Sequence, residues 1–226
     1  MLALAVSGID PRANRPSVDI LFNALKGGSG AVQGCDGYDH IGLINCAGGI
    51  LAQDPEMFEL QTPNRITKHE YAPDSAGAGR WRGGLGVETI IRFGGEKSKG
   101  VVFGDGVDKE TQAFGLFGGK VGSINEMEFK FPDGSRHRPK SKEIVSDIPQ
   151  GTILRQIAGG GGGYGDPYLR PAEQVVREVK NGTLSLQKAQ KDYGIMIDPK
   201  TLNLDESRTE RLRRKEKKRE GKTPTP

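Results

Sequence analysis

The sequence predicts a mainly β fold of the α+β type: a glycine-rich, multi-stranded β domain closed by a C-terminal helical hairpin and a charged tail. Three observations carry this. Glycine makes up 34 of the 226 residues. Short runs of alternating apolar residues, separated by turn residues, recur as far as Ala158. Beyond Pro171 the apolar spacing changes from two to the three or four of a helix. The expected units are residues 1–168 for the β domain, 169–198 for the hairpin of the same unit and 199–226 for a charged, disordered tail or frayed helix.

The elements follow in order. Met1–Val6 and Val18–Phe22 are β-like runs split by a turn-like segment. A strand that starts at Met1 reads as an interrupted one, so an unpaired edge is expected beside it. Residues 27–37 form a glycine-rich loop, and His40–Asn45 is a further β-like run. Asp54-Pro55-Glu56 opens a short helix, because Asp caps, Pro suits the first helical position and acids suit the first turn. Arg65–Tyr71 predicts a strand, Pro73–Gly84 a loop, and Gly86–Phe93 a strand with Val87, Thr89 and Ile91 on one face. Residues 99–158 are β-rich, with Pro132-Asp133-Gly134 marking a hairpin. Pro171–Lys180 predicts a helix on Val175, Val176 and Val179. Ser185–Tyr193 predicts a second helix, capped by Ser185 and stopped by Gly194.

Composition narrows the function. The net charge is +4, but residues 208–222 hold nine Lys/Arg against three Glu. The basic charge is therefore an appendage on a near-neutral body, and nucleic-acid binding is not expected. No apolar run approaches a membrane span, and a cytoplasmic location is expected. Cys35 and Cys46 lack Cys-x-x-Cys spacing, so neither a disulfide framework nor a zinc site is expected. His69 and His137 lie in strand-like contexts and read as surface residues.

Three segments carry candidate chemistry. Gly159–Gly163 follows a β-like run and suits either an anion cradle of backbone N–H groups or a tightly packed loop; no Lys-Ser/Thr follows, which excludes a P-loop. Cys35-Asp36-Gly37-Tyr38-Asp39-His40 brings an Asp/His pair suited to acid–base work or a hard metal. The same residues suit turn bonds at the opening of a strand. Arg80 and Arg82 flank Trp81, the sole tryptophan. They suit either a carboxylate clamp or an anchored loop. Asp39 and His40 are the candidate catalytic residues, and Asp36, Arg80 and Arg82 the candidate substrate contacts.

Four ordered motifs then resemble one family. The run from Asp74 through Gly79-Arg80-Trp81-Arg82-Gly83-Gly84 to Val87 resembles the D-S-G-G-A-G-x-W/Y-R-G-G-x-G-V signature of the hydantoinase B/5-oxoprolinase family, with Ala76 where glycine is usual. Gly115-Leu116-Phe117-Gly118-Gly119 resembles its GLFGG segment, and Gly159–Pro167 its GGGGYGDP ending. Asn181-Gly182, Ala189 and Asp192-Tyr193-Gly194 resemble its final helical hairpin. The resemblance covers the C-terminal part of much longer proteins.

It implies a subunit or fragment of an ATP-dependent amidohydrolase that opens cyclic amides such as hydantoins or 5-oxoproline. Ketone carboxylation is the alternative reaction, and a non-catalytic scaffold the alternative role. It implies a hydantoinase A-type partner that handles ATP and magnesium, an N-terminal B-type portion, and a small-molecule substrate. In the carboxylases a divalent metal sits in that N-terminal portion, so no metal ligand and no cofactor is assigned to this chain, and it is expected to be inactive alone.

Overall fold

The computed structural model describes residues 1–41 and 53–220. Among these, nine strands form two antiparallel sheets. Sheet I has the order β2-β1-β5-β8, from β1 (Leu2–Asp10), β2 (Arg15–Ile20), β5 (Glu96–Gly104) and β8 (Lys142–Ile148). Sheet II has the order β3-β4-β9-β6-β7, from β3 (Arg65–Tyr71), β4 (Val87–Arg92), β6 (Glu126–Lys130), β7 (Arg136–His137) and β9 (Ile153–Ala158). The unpaired edge expected beside the first strand is absent: β1 is paired with β2 on one side and β5 on the other.

The two sheets share one core. Leu2, Leu4, Val6 and Val102 of sheet I meet Ile91, Met127, Phe129 and Leu154 of sheet II, and Phe93 stacks on Phe129. Period-two alternation puts these residues on the inner faces. The buried Gln156 ties the layers directly, its amide donating to the Leu2 carbonyl at 2.6 Å.

The run read as Val18–Phe22 ends at Ile20, and α1 (Phe22–Leu25) follows. Leu21 turns into the core, and the Asn23 side chain exchanges two hydrogen bonds with the Gln53 backbone. Those bonds lie far outside the local sequence, so the run alone gave no sign of them. The start of α2 (Pro55–Gln61) is as expected: the Asp54 carboxylate accepts from the Glu56 and Met57 N–H groups. Most of the expected run His40–Asn45 lies outside the described residues.

The glycine segments pack into a bundle at one end of the sandwich. A Cβ on Gly159 or Gly162 would strike the 114–123 segment. One on Gly160 or Gly163 would strike Ser75 or Ala78, and one on Gly161 would overlap the Ser29 carbonyl. The neighbours repeat every three residues, the period of an extended three-fold helix rather than of a strand. Side chains are excluded because backbone meets backbone on all sides. The N–H groups of Gly159, Gly160, Gly161 and Gly163 are bonded to Asn125, Ser123, Gly84 and Lys120. The run is thus a structural hub, with these four donors spent internally rather than aimed at an anion.

The helical hairpin forms as read. It consists of α3 (Ala172–Lys180) and α4 (Leu186–Tyr193), with Ser185 bonding the Lys188 N–H and Gly194 in the left-handed conformation at φ 63°. Val175, Val179, Leu184, Ala189, Tyr193 and Ile195 close a second small core against Ala78 of the glycine bundle. Of the two readings of the tail, the structure takes the helical one: Glu206–Glu220 forms α5. Thr209 is buried and its hydroxyl accepts from the Met196 N–H, while Arg213 donates to the Tyr193 and Arg170 carbonyls. Two tertiary anchors in an otherwise polar segment tie the helix to the hairpin.

Candidate functional site

A cleft of about 370 Å³ opens where α3 faces the loops carrying residues 36–39 and 82–85. The glycine bundle positions both loops. Gly37 donates to the Arg82 carbonyl and Gly84 to the Ser29 carbonyl, so the two loops are fixed side by side. Helix α3 then brings Glu178 and Arg177 to the same cleft, and the turn before it brings Arg170.

An ion-pair network lines the floor. Arg82 donates Nη1 to Asp39 Oδ1 and Nε to Glu178 Oε1, both at 2.8 Å. Arg170 grips Asp36 at two points and donates to Glu178 Oε1 at 2.7 Å. The carboxylates also bind backbone: Asp36 accepts from the Arg82 N–H and Asp39 from the Leu85 N–H. Burial pushes the Asp36 carboxyl up, but Arg170 and Arg82 outweigh it and hold the group below the usual range. Burial likewise opposes the charge on Arg170, and its bonds to Asp36 and Glu178 raise it beyond its ordinary value. Asp36, Arg82 and Arg170 are therefore ionised at neutral pH. The network is a latch between the loops and the hairpin, with carboxylate oxygens and guanidinium edges facing the cleft.

The five sequence-predicted residues divide into three groups. Asp36, Asp39 and Arg82 come together in the latch. Arg80 does not join them; its guanidinium lies over the Trp81 ring, 4.7 Å from the centroid. His40 bonds neither to Asp39 nor to the latch and is absent from the cleft lining. It takes a left-handed backbone, φ 51°, and turns its ring edge-on to His69, with centroids 5.1 Å apart. Its Nε2 is buried with no hydrogen-bond partner among the described residues. Burial first, then the neighbouring His69 and Lys26, push its pKa down to about 4. His40 is thus a neutral imidazole at physiological pH, with one nitrogen unclaimed.

His69, expected at the surface, is half-buried against His40 and bonds the Thr89 hydroxyl through Nδ1 at 3.0 Å. The fold places it on the inner face of sheet II. Cys35 is exposed and free, and Cys46 lies outside the described residues. Among the described residues no group of three or more His, Cys, Asp or Glu is placed to hold a metal ion. No helix there is long and apolar enough to cross a membrane.

Sequence reasoning missed Arg170 and Glu178. Neither sits in a motif with local chemistry. The one available signal was a charged residue, Arg170, in the turn between the glycine run and an amphipathic helix, where the fold buries it to 2 % exposure.

Residues 1–167 match the Hydantoinase B/oxoprolinase family. The chain belongs to that family. It is 30 % identical over 209 residues to the caprolactamase subunit beta of Pseudomonas jessenii, covering 90 % of this chain and 35 % of that protein. The crystal structure of the ATP-dependent caprolactamase from the same organism superposes with a TM-score of 0.79 at 29 % identity, covering 93 % of this chain and 37 % of that one. A nucleotide-free acetone carboxylase structure shares the fold, with a TM-score of 0.82 at 21 % identity, covering all of this chain and 34 % of that one. The hydantoinase B-type chain described here thus spans about a third of the length of the relatives it matches.

Proposed function

We propose that this chain is the sandwich-and-hairpin portion of a hydantoinase B-type subunit, working in an ATP-dependent assembly that opens cyclic amides. The observation that carries the reading is the 30 % identity to a caprolactamase subunit across nine-tenths of the chain. The carboxylase likeness is weaker in sequence, 26 % identity over 239 residues to an acetophenone carboxylase delta subunit, so hydrolysis of a lactam-like ring is preferred to ketone carboxylation.

The chemistry follows from the amide. Its carbonyl is a poor electrophile, and phosphorylation of the amide oxygen converts it into one that water attacks. In this reading an A-type partner handles ATP and magnesium, and any divalent metal belongs to the B-type portion outside this chain. The cleft contributes a polar wall. Asp36, Asp39 and Arg82 offer preorganised acceptors and donors to a ring with N–H and C=O groups. His40 stands apart from this wall, a neutral imidazole beside His69, and its part in turnover is left to the test.

The test is turnover in the native assembly. Purified complex carrying Asp39→Asn or His40→Asn is assayed for ATP-dependent opening of lactams, hydantoins and 5-oxoproline, and in parallel for ketone carboxylation. A drop of about 100-fold in kcat, with assembly unchanged, supports direct roles. Unchanged turnover in both variants leaves the chain a scaffold. Carboxylation without ring opening would overturn the hydrolase reading.

A further inference from the structure

The two sheets differ on their outer faces. Sheet II is covered by paired charges: Lys68 and Arg155 both bond Glu88, and Arg136 and Arg138 both reach Glu128. That is a surface built for water. Sheet I is different. Strand register sets Ile20 opposite Ala5, Ala5 opposite Val101, and Val101 opposite Ile144. These four form one apolar row across all four strands. Val18 and Phe103 flank the row on the same face. Ile144 is 68 % exposed, Val18 76 %, Val101 44 % and Phe103 39 %. Scattered exposed apolar residues are ordinary, but a contiguous row across a whole sheet marks a contact surface.

We propose that this face seats the part of a hydantoinase B-type subunit that has no counterpart in this chain. The inference rests on family membership and not on the choice of substrate. The family's relatives are about three times as long as the matched region, so roughly two-thirds of their length packs outside it. Among the described residues Leu25 covers Ala3 at one end of this face but the apolar row itself is left open, while the inner face is the core and the glycine bundle and hairpin close the molecule elsewhere. Lys99 and Lys142 stand exposed on the same face. The seated segment is accordingly an apolar ridge with acidic flanks, the complement of an apolar row edged by lysines.

The experiment places a photo-reactive benzoylphenylalanine at Ile144, and separately at Val18, in the chain as it is produced in its native assembly. Both side chains are exposed, so the substitutions leave the core untouched, and circular dichroism checks this. A third version carries the probe at Glu70 on the outer face of sheet II. Adducts are mapped by mass spectrometry. Adducts from positions 144 and 18 that map to B-type sequence outside this chain, within one polypeptide or between two, are the expected result. Their yield should exceed that from position 70 at least tenfold. Adducts to an A-type subunit or to a second copy of this chain would overturn the proposal. So would the absence of protein adducts at both positions.

Discussion

Arg170 and Asp36 are 134 residues apart in the chain and meet in a two-point ion pair, with Nη1 2.8 Å from Oδ1 and Nη2 2.7 Å from Oδ2. The pair joins the loop carrying residues 36–39 to the turn that starts the helical hairpin. Glu178 shares Arg170 with Asp36 and Arg82 with Asp39, so one carboxylate bridges both halves of the latch. Arg170 is 2 % exposed. Its loss would leave two carboxylates facing each other without their shared cation.

Arg170→Met is therefore expected to cost about 3 kcal/mol of stability. Asp36→Asn, at a more solvated position, is expected to cost less. Urea denaturation of the single and double variants measures the coupling. A double variant destabilised by the full sum of the two single losses would show that the pair does not act as a unit.

Gly161 and Gly30 belong to the same bundle but have opposite surroundings. A Cβ at Gly161 would overlap the Ser29 carbonyl, whereas one at Gly30 would meet only the Gly162 carbonyl at 4.0 Å. Gly161→Ala is expected to cost about 4 kcal/mol or more. Gly30→Ala should be neutral, or stabilising by up to about 1 kcal/mol through the unfolded chain. Thermal melts of the two variants decide the matter, and equal behaviour would sink the backbone-contact account of the glycine run.

His40 titrates lower in the folded chain than in the unfolded one, about 4 against an ordinary 6.5. Between those values the unfolded chain binds the proton and the folded chain does not. Stability therefore rises with pH across this window and falls as pH drops from 6.5 towards 4. Of the groups facing the ring, His69 and Lys26 oppose protonation and outweigh the Asn23 backbone, which favours it. His40→Asn keeps a residue that tolerates the left-handed backbone. It should flatten this part of the pH–melting curve, as read by circular dichroism. An unchanged slope would assign the acid sensitivity elsewhere.

Arg213 donates to the Tyr193 carbonyl through Nε at 3.3 Å and to the Arg170 carbonyl through Nη2 at 3.2 Å. Arg213→Ala is expected to raise amide exchange in α5 by about tenfold, with the sandwich strands unaffected. Exchange that speeds up equally in both would mean that α5 does not open as a separate unit.

Local pattern and tertiary contact divide this protein cleanly. Alternation in Val87, Thr89 and Ile91, the Asp54-Pro55 start, the Pro132-Asp133-Gly134 turn, and the Ser185 and Gly194 caps were enough to place strands and helices, because each signal acts within a few residues. The glycine motifs were enough for the family, since only glycine permits backbone packed against backbone on every side. Which strands pair, and that β1 lies inside sheet I, depended on contacts between residues about a hundred positions apart. So did the latch. Asp36, Asp39 and Arg82 were visible as charges in a glycine-rich setting, but Arg170 and Glu178 joined them only when the hairpin docked. His40 was visible beside Asp39 in sequence. The fold turned it away, towards His69, in a left-handed backbone conformation that the local sequence does not announce. Periodicity and capping are properties of neighbouring residues. Partnership among buried charges is a property of the packed whole.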